Sequence, residues 1–161
     1  MLLDYHPNLR LQFDEELKLL RARYVRPELL GDGLRPSMLA LLRAMQHTQA
    51  QLLLLDTTNM LDIGVYDQIW LGLHWVPDAI KLPLTRVVFC FHPRKVHNQL
   101  AVESLIKLTQ HLIRFDIQFF NEPNDGLAWL TDGSPRRAAL LAEWQAAPEL
   151  TELLSDSPVP H

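Results

Sequence analysis

The chain has 161 residues, a formal net charge of −4 at pH 7 and 48% hydrophobic residues. It is long enough for a single domain that buries a core without disulfides or metal ions. The acidic balance excludes a basic footprint for DNA or RNA, so we expect no nucleic-acid partner. No apolar stretch reaches the ~18 residues that span a bilayer, and residues 1–6 lack a signal-peptide pattern. We therefore predict a cytoplasmic protein that is not transmembrane.

The first third of the chain predicts an antiparallel hairpin followed by a helix. Apolar and polar residues alternate over 9–14, and a second apolar run reaches Tyr24. This second run loses strict alternation at Leu19 and Leu20, which is typical of a β-bulge. Helical spacing of apolar residues then predicts a helix over about 34–48.

The middle of the chain predicts parallel strands joined by helices. Residues 51–56 and 86–91 are continuous apolar runs, as in strands buried on both faces of a sheet. Between them, helical spacing predicts a helix over 65–76 that Pro77 ends or kinks. The unit is βαβ, which is right-handed by rule.

A long helix and a last strand follow. The helix is expected over 96–113, with Ala101, Leu105, Leu108 and Leu112 on its inward stripe. The last strand alternates apolar and polar residues, which places it at or near an edge of the sheet. We therefore predict an α/β fold with a mixed sheet, an N-terminal antiparallel hairpin followed by parallel βαβαβ.

The C-terminal part predicts an addition to this fold. We expect the main domain over residues 1–133, a helical extension over 134–154 and a disordered tail over 155–161. In the extra C-terminal helix, Leu140, Leu141 and Trp144 form an apolar stripe that the sheet does not require. We hypothesise a homodimer contact there, with Trp144 as its anchor.

Polar residues at the ends of two neighbouring strands form a candidate ligand or anion site. The carboxyl ends of parallel strands meet at one edge of a sheet, so these side chains are expected to share a crevice. The alternative is that they only satisfy local turns. The residues are Asp56, Thr57, Thr58, Asn59, His92, Arg94 and Lys95.

Other side chains carry weaker indications of chemistry. Trp70 and Trp75 are the candidate apolar pocket, with Trp75 beside a proline. Cys90 lies in an apolar run and is expected to be a small buried hydrophobe rather than a nucleophile. No metal-ligand spacing, phosphate loop or hydrolase motif occurs, so we predict no cofactor, no metal and no catalytic activity.

The order and spacing of several segments are similar to a known family. The chain resembles the SpoIIAA-like branch of STAS domains, over about residues 8–131. This resemblance implies a STAS-like α/β fold, and related domains include CRAL-TRIO lipid carriers. The segments that carry the resemblance are 52–56 (LLLLD), 67–70 (DQIW), 75–77 (WVP), 86–89 (RVVF), 119–120 (FF) and 127–130 (LAWL).

The resemblance also implies a phosphoswitch that this chain does not reproduce. STAS domains of the anti-sigma-factor-antagonist type carry a phosphorylated Ser or Thr at a helix entry, where free N–H groups stabilise the phosphate. Here Asp62, Ile63 and Gly64 stand where those proteins carry Asp-Ser, and no Ser or Thr occurs from residue 60 to 83. Any phosphorylation would have to act at Thr57, Thr58 or Tyr66. Asp62 is expected either to cap the helix or, with Tyr66, to belong to a partner surface.

Three functions follow as hypotheses. The first is a non-catalytic, cytoplasmic regulatory or protein-interaction module of STAS type with an unknown protein partner. The alternative is a small carrier that holds an apolar or lipid-like molecule between sheet and helix. The third is a small hydrolase. An interaction module should have a solid core, whereas a carrier needs a cavity of at least ~300 Å³.

Overall fold

A computed structural model of the protein describes residues 1–26 and 33–147. The described chain folds into a mixed sheet with helices on both faces. In chain order its elements are β1 (Leu2–Leu3), β2 (Leu9–Asp14), β3 (Leu19–Tyr24), α1 (Leu34–Thr48), β4 (Leu52–Asp56), α2 (Val65–Trp70), a π-helical segment (Leu71–Trp75), α3 (Val76–Ala79), β5 (Arg86–Cys90), α4 (Val96–Thr109), β6 (Asp116–Phe120), α5 (Pro123–Thr131) and α6 (Arg136–Ala146).

The six strands lie in the sheet in the order in which they occur in the chain. β1, β2 and β3 are antiparallel, and β3, β4, β5 and β6 are parallel. This confirms the predicted α/β class, the hairpin, the parallel strands and the edge position of the last strand. The two-residue strand β1, which extends the antiparallel edge, was not predicted.

The topology assigns the helices to faces. The continuous helical segment made of α2, the π-helical segment and α3 is here called the α2–α3 helix. Right-handed crossovers between successive parallel strands place α1, the α2–α3 helix and α4 on one face, here called the crossover face. Its core holds Leu9, Leu11 and Phe13 of β2 together with residues of α1, β4 and β5. On the opposite face, α5 packs against β4, β5 and β6, and α6 packs beside it. Both faces of the central strands are therefore buried, as their continuous apolar runs predict.

The expected bulge in β3 is absent. Phe13 pairs with Leu20 and Asp14 pairs with Leu19 in an uninterrupted register. Leu20 packs in the core of the crossover face, and Leu19 packs in the core under α5 and α6. The alternation is lost because both faces of β3 are covered, so both leucines have an apolar environment.

Pro77 does not end the helix that precedes it. The segment Leu71–Trp75 is π-helical, and the N–H of Val76 bonds to the carbonyl of Leu71, five residues back. Helical structure then continues through Val76–Ala79, with Pro77 near the start of this last turn. A proline in a helix lacks an N–H and crowds the preceding turn, and a widened turn relieves that crowding.

The inward stripe predicted for α4 is wrong in two of its four residues. Ala101 is buried and Leu105 is half-buried, but Leu108 is 73% exposed and Leu112, beyond the end of the helix, is 50% exposed. The rotation of α4 is fixed at its start, where the Asn98 side chain bonds to the loop before α2. That clamp turns Leu108 toward solvent.

The predicted dimer contact on α6 is corrected by the fold. Leu140 and Trp144 are buried in the chain's own structure, and Leu141 is partly buried against the same core. The guanidinium groups of Arg10 and Arg21 lie 4.0 and 4.1 Å from the centre of a Trp144 ring. These side chains are unavailable as an anchor because α6 covers its own sheet. The tail predicted for 155–161, and the end of the extension over 148–154, lie outside the described residues.

Candidate functional site

The polar residues after β4 are held in a tight turn. Asp56 Oδ1 accepts hydrogen bonds from the N–H of Thr58 at 3.0 Å and from its hydroxyl at 2.7 Å. The Thr57 hydroxyl donates to the Cys90 carbonyl at 2.8 Å, and the Asn59 amide donates to the carbonyls of the β3 end. Asp56 thus bonds within its own turn, whereas Thr57 and Asn59 bond to backbone carbonyls at the ends of the neighbouring strands.

The Asp56 carboxylate lies on the face of the sheet that carries α5 and α6. There Asp56 Oδ2 is 3.9 Å from Arg23 Nε, on the neighbouring strand. Arg21 is buried beneath Trp144, and burial lowers the pKa of its guanidinium to about 10 although the charge of Asp56 opposes that shift. Asp56 therefore balances part of the positive charge that β3 buries on this face.

The residues after β5 form a separate, exposed group. His92, Arg94 and Lys95 are all exposed, and His92 Nδ1 accepts the N–H of Arg94 at 3.1 Å. Within residues 1–26 and 33–147, no hydrogen bond or ion pair joins this group to Asp56 or to the threonines that follow it. Strand pairing sets Asp56 beside Cys90, but the two polar groups use different partners.

Cys90 is the buried hydrophobe that its surroundings in the sequence predict. Its side chain is inaccessible, and it packs in the core under α5 and α6. Burial, reinforced by the nearby Asp56 charge, raises the pKa of the thiol to about 12. A thiol with that pKa is not ionised at neutral pH, so Cys90 is not an activated nucleophile.

An apolar cavity of about 100 Å³ lies between the sheet and the helices of the crossover face. Trp75 lines it and donates its indole N–H to the Met38 carbonyl at 2.7 Å. Trp70 is not among the described lining residues and packs at the margin of the core, 5.5 Å beneath the Arg35 guanidinium. The core is not solid here, contrary to prediction, although the cavity is smaller than the ~300 Å³ expected of a ligand carrier.

The α2–α3 helix and α4 lie side by side on the crossover face. His97 bonds to the Ile63 carbonyl near the start of both helices, and further along a Cβ on Gly72 would lie 3.3 Å from Leu105 Cδ2. The two helices therefore run parallel, and the missing side chain of Gly72 leaves room for Leu105.

Both of these helices expose apolar side chains to solvent. Six of them are here called the α2/α4 surface: Val65, Ile69, Leu73, Val96, Leu100 and Leu108. Tyr66, next to Val65, is 81% exposed, and the charged Arg94, Lys95 and Lys107 are exposed near the residues of α4. Apolar residues grouped on an exposed face mark interaction sites more often than singly scattered ones do.

Asp62 is not a helix cap. The N-cap of α2 is Gly64, and no side chain in the described part of the chain makes a capping hydrogen bond there. Asp62 is exposed two residues earlier, in the loop that Asn98 clamps. The capping hypothesis is therefore wrong, because the helix starts later than the position of Asp62 requires. The hypothesis that Asp62 and Tyr66 belong to a partner surface remains a prediction.

The three candidate phosphorylation sites differ in access. Thr57 is buried, and its hydroxyl is engaged by the Cys90 carbonyl. Thr58 is half-buried and bonded to Asp56. Tyr66 presents its side chain to solvent. Of the three, Tyr66 is the one that a modifying enzyme reaches without opening the fold.

Comparison of the chain with protein-family models, curated proteins and solved structures finds no match. The STAS resemblance is thus a prediction that rests on the quoted segments. In the described part of the chain, no helix combines the length and apolar composition needed to cross a bilayer. Across the same residues, no cluster of His, Cys, Asp and Glu side chains has the arrangement of a metal site.

Two features of the sites escaped sequence reasoning. The apolar spacing places Leu108 and Leu112 on the predicted stripe of α4, but spacing along a helix gives the width of a stripe and not its direction. The exposure of Val96 and Leu100 was not predicted. The arginines beneath Trp144 occur in strands whose alternation indicates solvent. The apolar stripe of α6 was the feature of the sequence that could have indicated this contact. We interpreted that stripe as a dimer interface, whereas it packs on β2 and β3 of the same chain.

Proposed function

We propose that the protein is a non-catalytic, cytoplasmic protein-interaction module of STAS type, and that it binds a partner through the α2/α4 surface. The observation that carries the proposal is the exposure of apolar stripes on two adjacent parallel helices. Val65, Ile69 and Leu73 follow one another at intervals of four residues, and Leu100 and Leu108 lie along the neighbouring helix. An exposed apolar surface costs solubility unless a partner covers it.

The occupant that fits this surface is an amphipathic helix with acidic flanking residues. Two ridges on neighbouring helices form a groove in which an apolar helix face can pack. Arg94, Lys95 and Lys107 are exposed beside it, against two acids, Asp62 near its other end and the half-buried Glu103 on α4. A third acid, Asp67 on α2, is paired with Arg35. The local charge is positive although the whole chain is acidic, which favours a partner of negative charge.

The test is loss of binding when the surface is made polar. We expect Ile69→Lys and Leu100→Lys each to weaken binding of the partner at least tenfold, since a lysine cannot be desolvated in an apolar groove. Leu39→Lys is the matched control, because Leu39 is 42% exposed on α1, outside the surface. A photo-crosslinking residue at position 69 would identify the partner in cells that make the protein, and calorimetry with its purified contact segment would give the affinities.

Three results would overturn the proposal. Equal affinity for wild type and both lysine variants would place the contact elsewhere. Concentration-dependent self-association that Ile69→Lys abolishes would make a second copy the occupant. Flotation with anionic vesicles, lost in the same variant, would make it a membrane.

A further inference from the structure

The cavity on the crossover face has walls that are almost entirely apolar. It lies between strands β4 to β6 and the helices that cross over them, and its lining includes Leu55, Phe89, Val102 and Ile106. On α4 the residues that line it, Val102, Leu105 and Ile106, are only half-buried. The inner face of α4 is therefore a wall of the cavity, while its outer face belongs to the α2/α4 surface.

The polar side chains among the described lining residues are already hydrogen-bonded. The Thr57 and Thr109 hydroxyls donate to carbonyls at 2.8 and 2.7 Å, and Asn98 bonds through both its oxygen and its nitrogen. The Trp75 indole N–H is engaged by Met38. A buried water needs two to four polar partners, so this cavity offers water too little to bind.

A dry apolar cavity binds compact apolar guests. An engineered cavity of about 150 Å³ with Leu, Ile and Phe walls stays empty of water and binds benzene or xenon. The space here, about 100 Å³, is close to that size. A long acyl chain would not fit, because ligand pockets for larger molecules start at about 300 Å³.

We propose that this cavity is a binding site for one compact apolar molecule, a small aromatic or branched hydrocarbon group rather than a lipid chain. The guest fills the space between α4 and the sheet and makes the dispersion contacts that the lining residues lack when the space is empty. The site is independent of the docking function proposed above, because it uses the inner face of α4 and not the outer one.

The test uses benzene as the probe and fills the cavity by mutation. Methyl NMR of the wild-type protein is expected to show saturable shifts at Val102, Leu105 and Ile106 as benzene is added, with a stoichiometry of one. Val102→Phe and Ile106→Phe each place a ring in the cavity and are expected to weaken benzene binding at least tenfold. Two filling variants are used so that one of them still gives a result if the other fails to fold.

Leu112→Phe is the matched control, since it adds the same ring at a 50% exposed residue just beyond the same helix, outside both the cavity lining and the α2/α4 surface. It is expected to bind benzene as wild type does. A long-chain fatty acid is the size control and is expected to give no saturable shift. The proposal is overturned if wild type shows no saturable response to benzene, if the response persists in the folded filling variants, or if the fatty acid binds and benzene does not.

Discussion

At the scale of single residues, Asp14 shows how the fold uses a buried charge. Its side chain is almost fully buried at the end of β2, although the sequence pattern places it on a solvent-facing side. Burial alone would raise its pKa. Hydrogen bonds from the Leu17 N–H and from Arg136, whose Nη2 lies 2.6 Å from Asp14 Oδ2, outweigh that effect and hold the pKa of the carboxyl below its ordinary value. Asp14 thereby joins the hairpin to α6.

Asp14 is expected to make stability depend on pH in the acid range. A carboxyl whose pKa is depressed in the folded state stabilises the fold fully above its unfolded pKa of about 3.9, and that contribution is lost as pH falls through the folded pKa. Asp14→Asn should therefore cost about 1 kcal/mol at pH 7, a modest value because Arg136 is partly exposed. Urea midpoints at pH 7, 5 and 3 check this, with Asp116→Asn, at an exposed position in β6, as the control. A deficit that is the same at every pH would contradict it.

At the scale of elements, α6 is a structural cover for the hairpin. Gln12 Nε2 donates to the Leu140 carbonyl at 2.8 Å, and Arg10 donates to the carbonyls of Trp144 and Ala147 at the end of the helix. The guanidinium groups of Arg10 and Arg21 both pack against Trp144, an arrangement that the electron-rich faces of its rings favour. Polar side chains that β2 and β3 would otherwise expose obtain partners in this way.

Trp144→Ala is expected to destabilise the fold rather than an assembly. Removing this buried ring leaves a cavity and exposes Arg21, so we expect a loss of about 3 kcal/mol or more of unfolding free energy. Leu141→Ala, on the same helix but only partly buried, is expected to cost clearly less. Denaturant midpoints measure both losses, and sedimentation checks the subunit count. An unchanged midpoint together with a lost dimer would restore the dimer hypothesis.

At the scale of the whole molecule, burial is uneven across the crossover face. Eight of the residues in α1 are buried, but only Asn98 and Ala101 are buried in α4. The cavity lies beneath α4, and exposed apolar residues lie on its outer side. The helix is held mainly at its start, by the bonds of His97 and Asn98 to the loop before α2. Such an element belongs to the low-stability end of a fold.

Hydrogen exchange is expected to show α4 opening before α1. The two helices are of similar length, so α1 serves as the internal control. Amides after Ala101 in α4 should exchange at least tenfold faster than those at the centre of α1, because fewer apolar contacts must break to open them. Mass spectrometry of peptides from both helices gives the rates. Equal protection would show that α4 unfolds only with the whole domain.

Local sequence patterns predicted the helices and strands whose hydrophobic residues recur at regular intervals. These patterns did not predict which neighbour each apolar face packs against. The helix at Leu34–Thr48 and the strands β4 and β5 matched because their spacing and their continuous apolar runs are properties of the segment itself. The candidate polar site was only half located. The sequence places Asp56, Thr57 and His92 at the ends of adjacent strands. Their partners in the fold, such as Arg23 for Asp56 and the Cys90 carbonyl for Thr57, decide what those residues do.

The sequence by itself determined the α/β class, the hairpin and the parallel strands that follow it, because hydrophobic period and turn chemistry act over a few residues. Only the tertiary structure decided that Trp144 covers its own sheet, that Asp62 lies outside the helix cap, and that Leu108 faces solvent. Each of these depends on a contact between residues far apart in the chain, such as the hydrogen bond that the Ile63 N–H donates to Asn98 Oδ1. An apolar stripe on a helix indicates that one face of the helix is buried, and tertiary packing decides which part of the protein buries it.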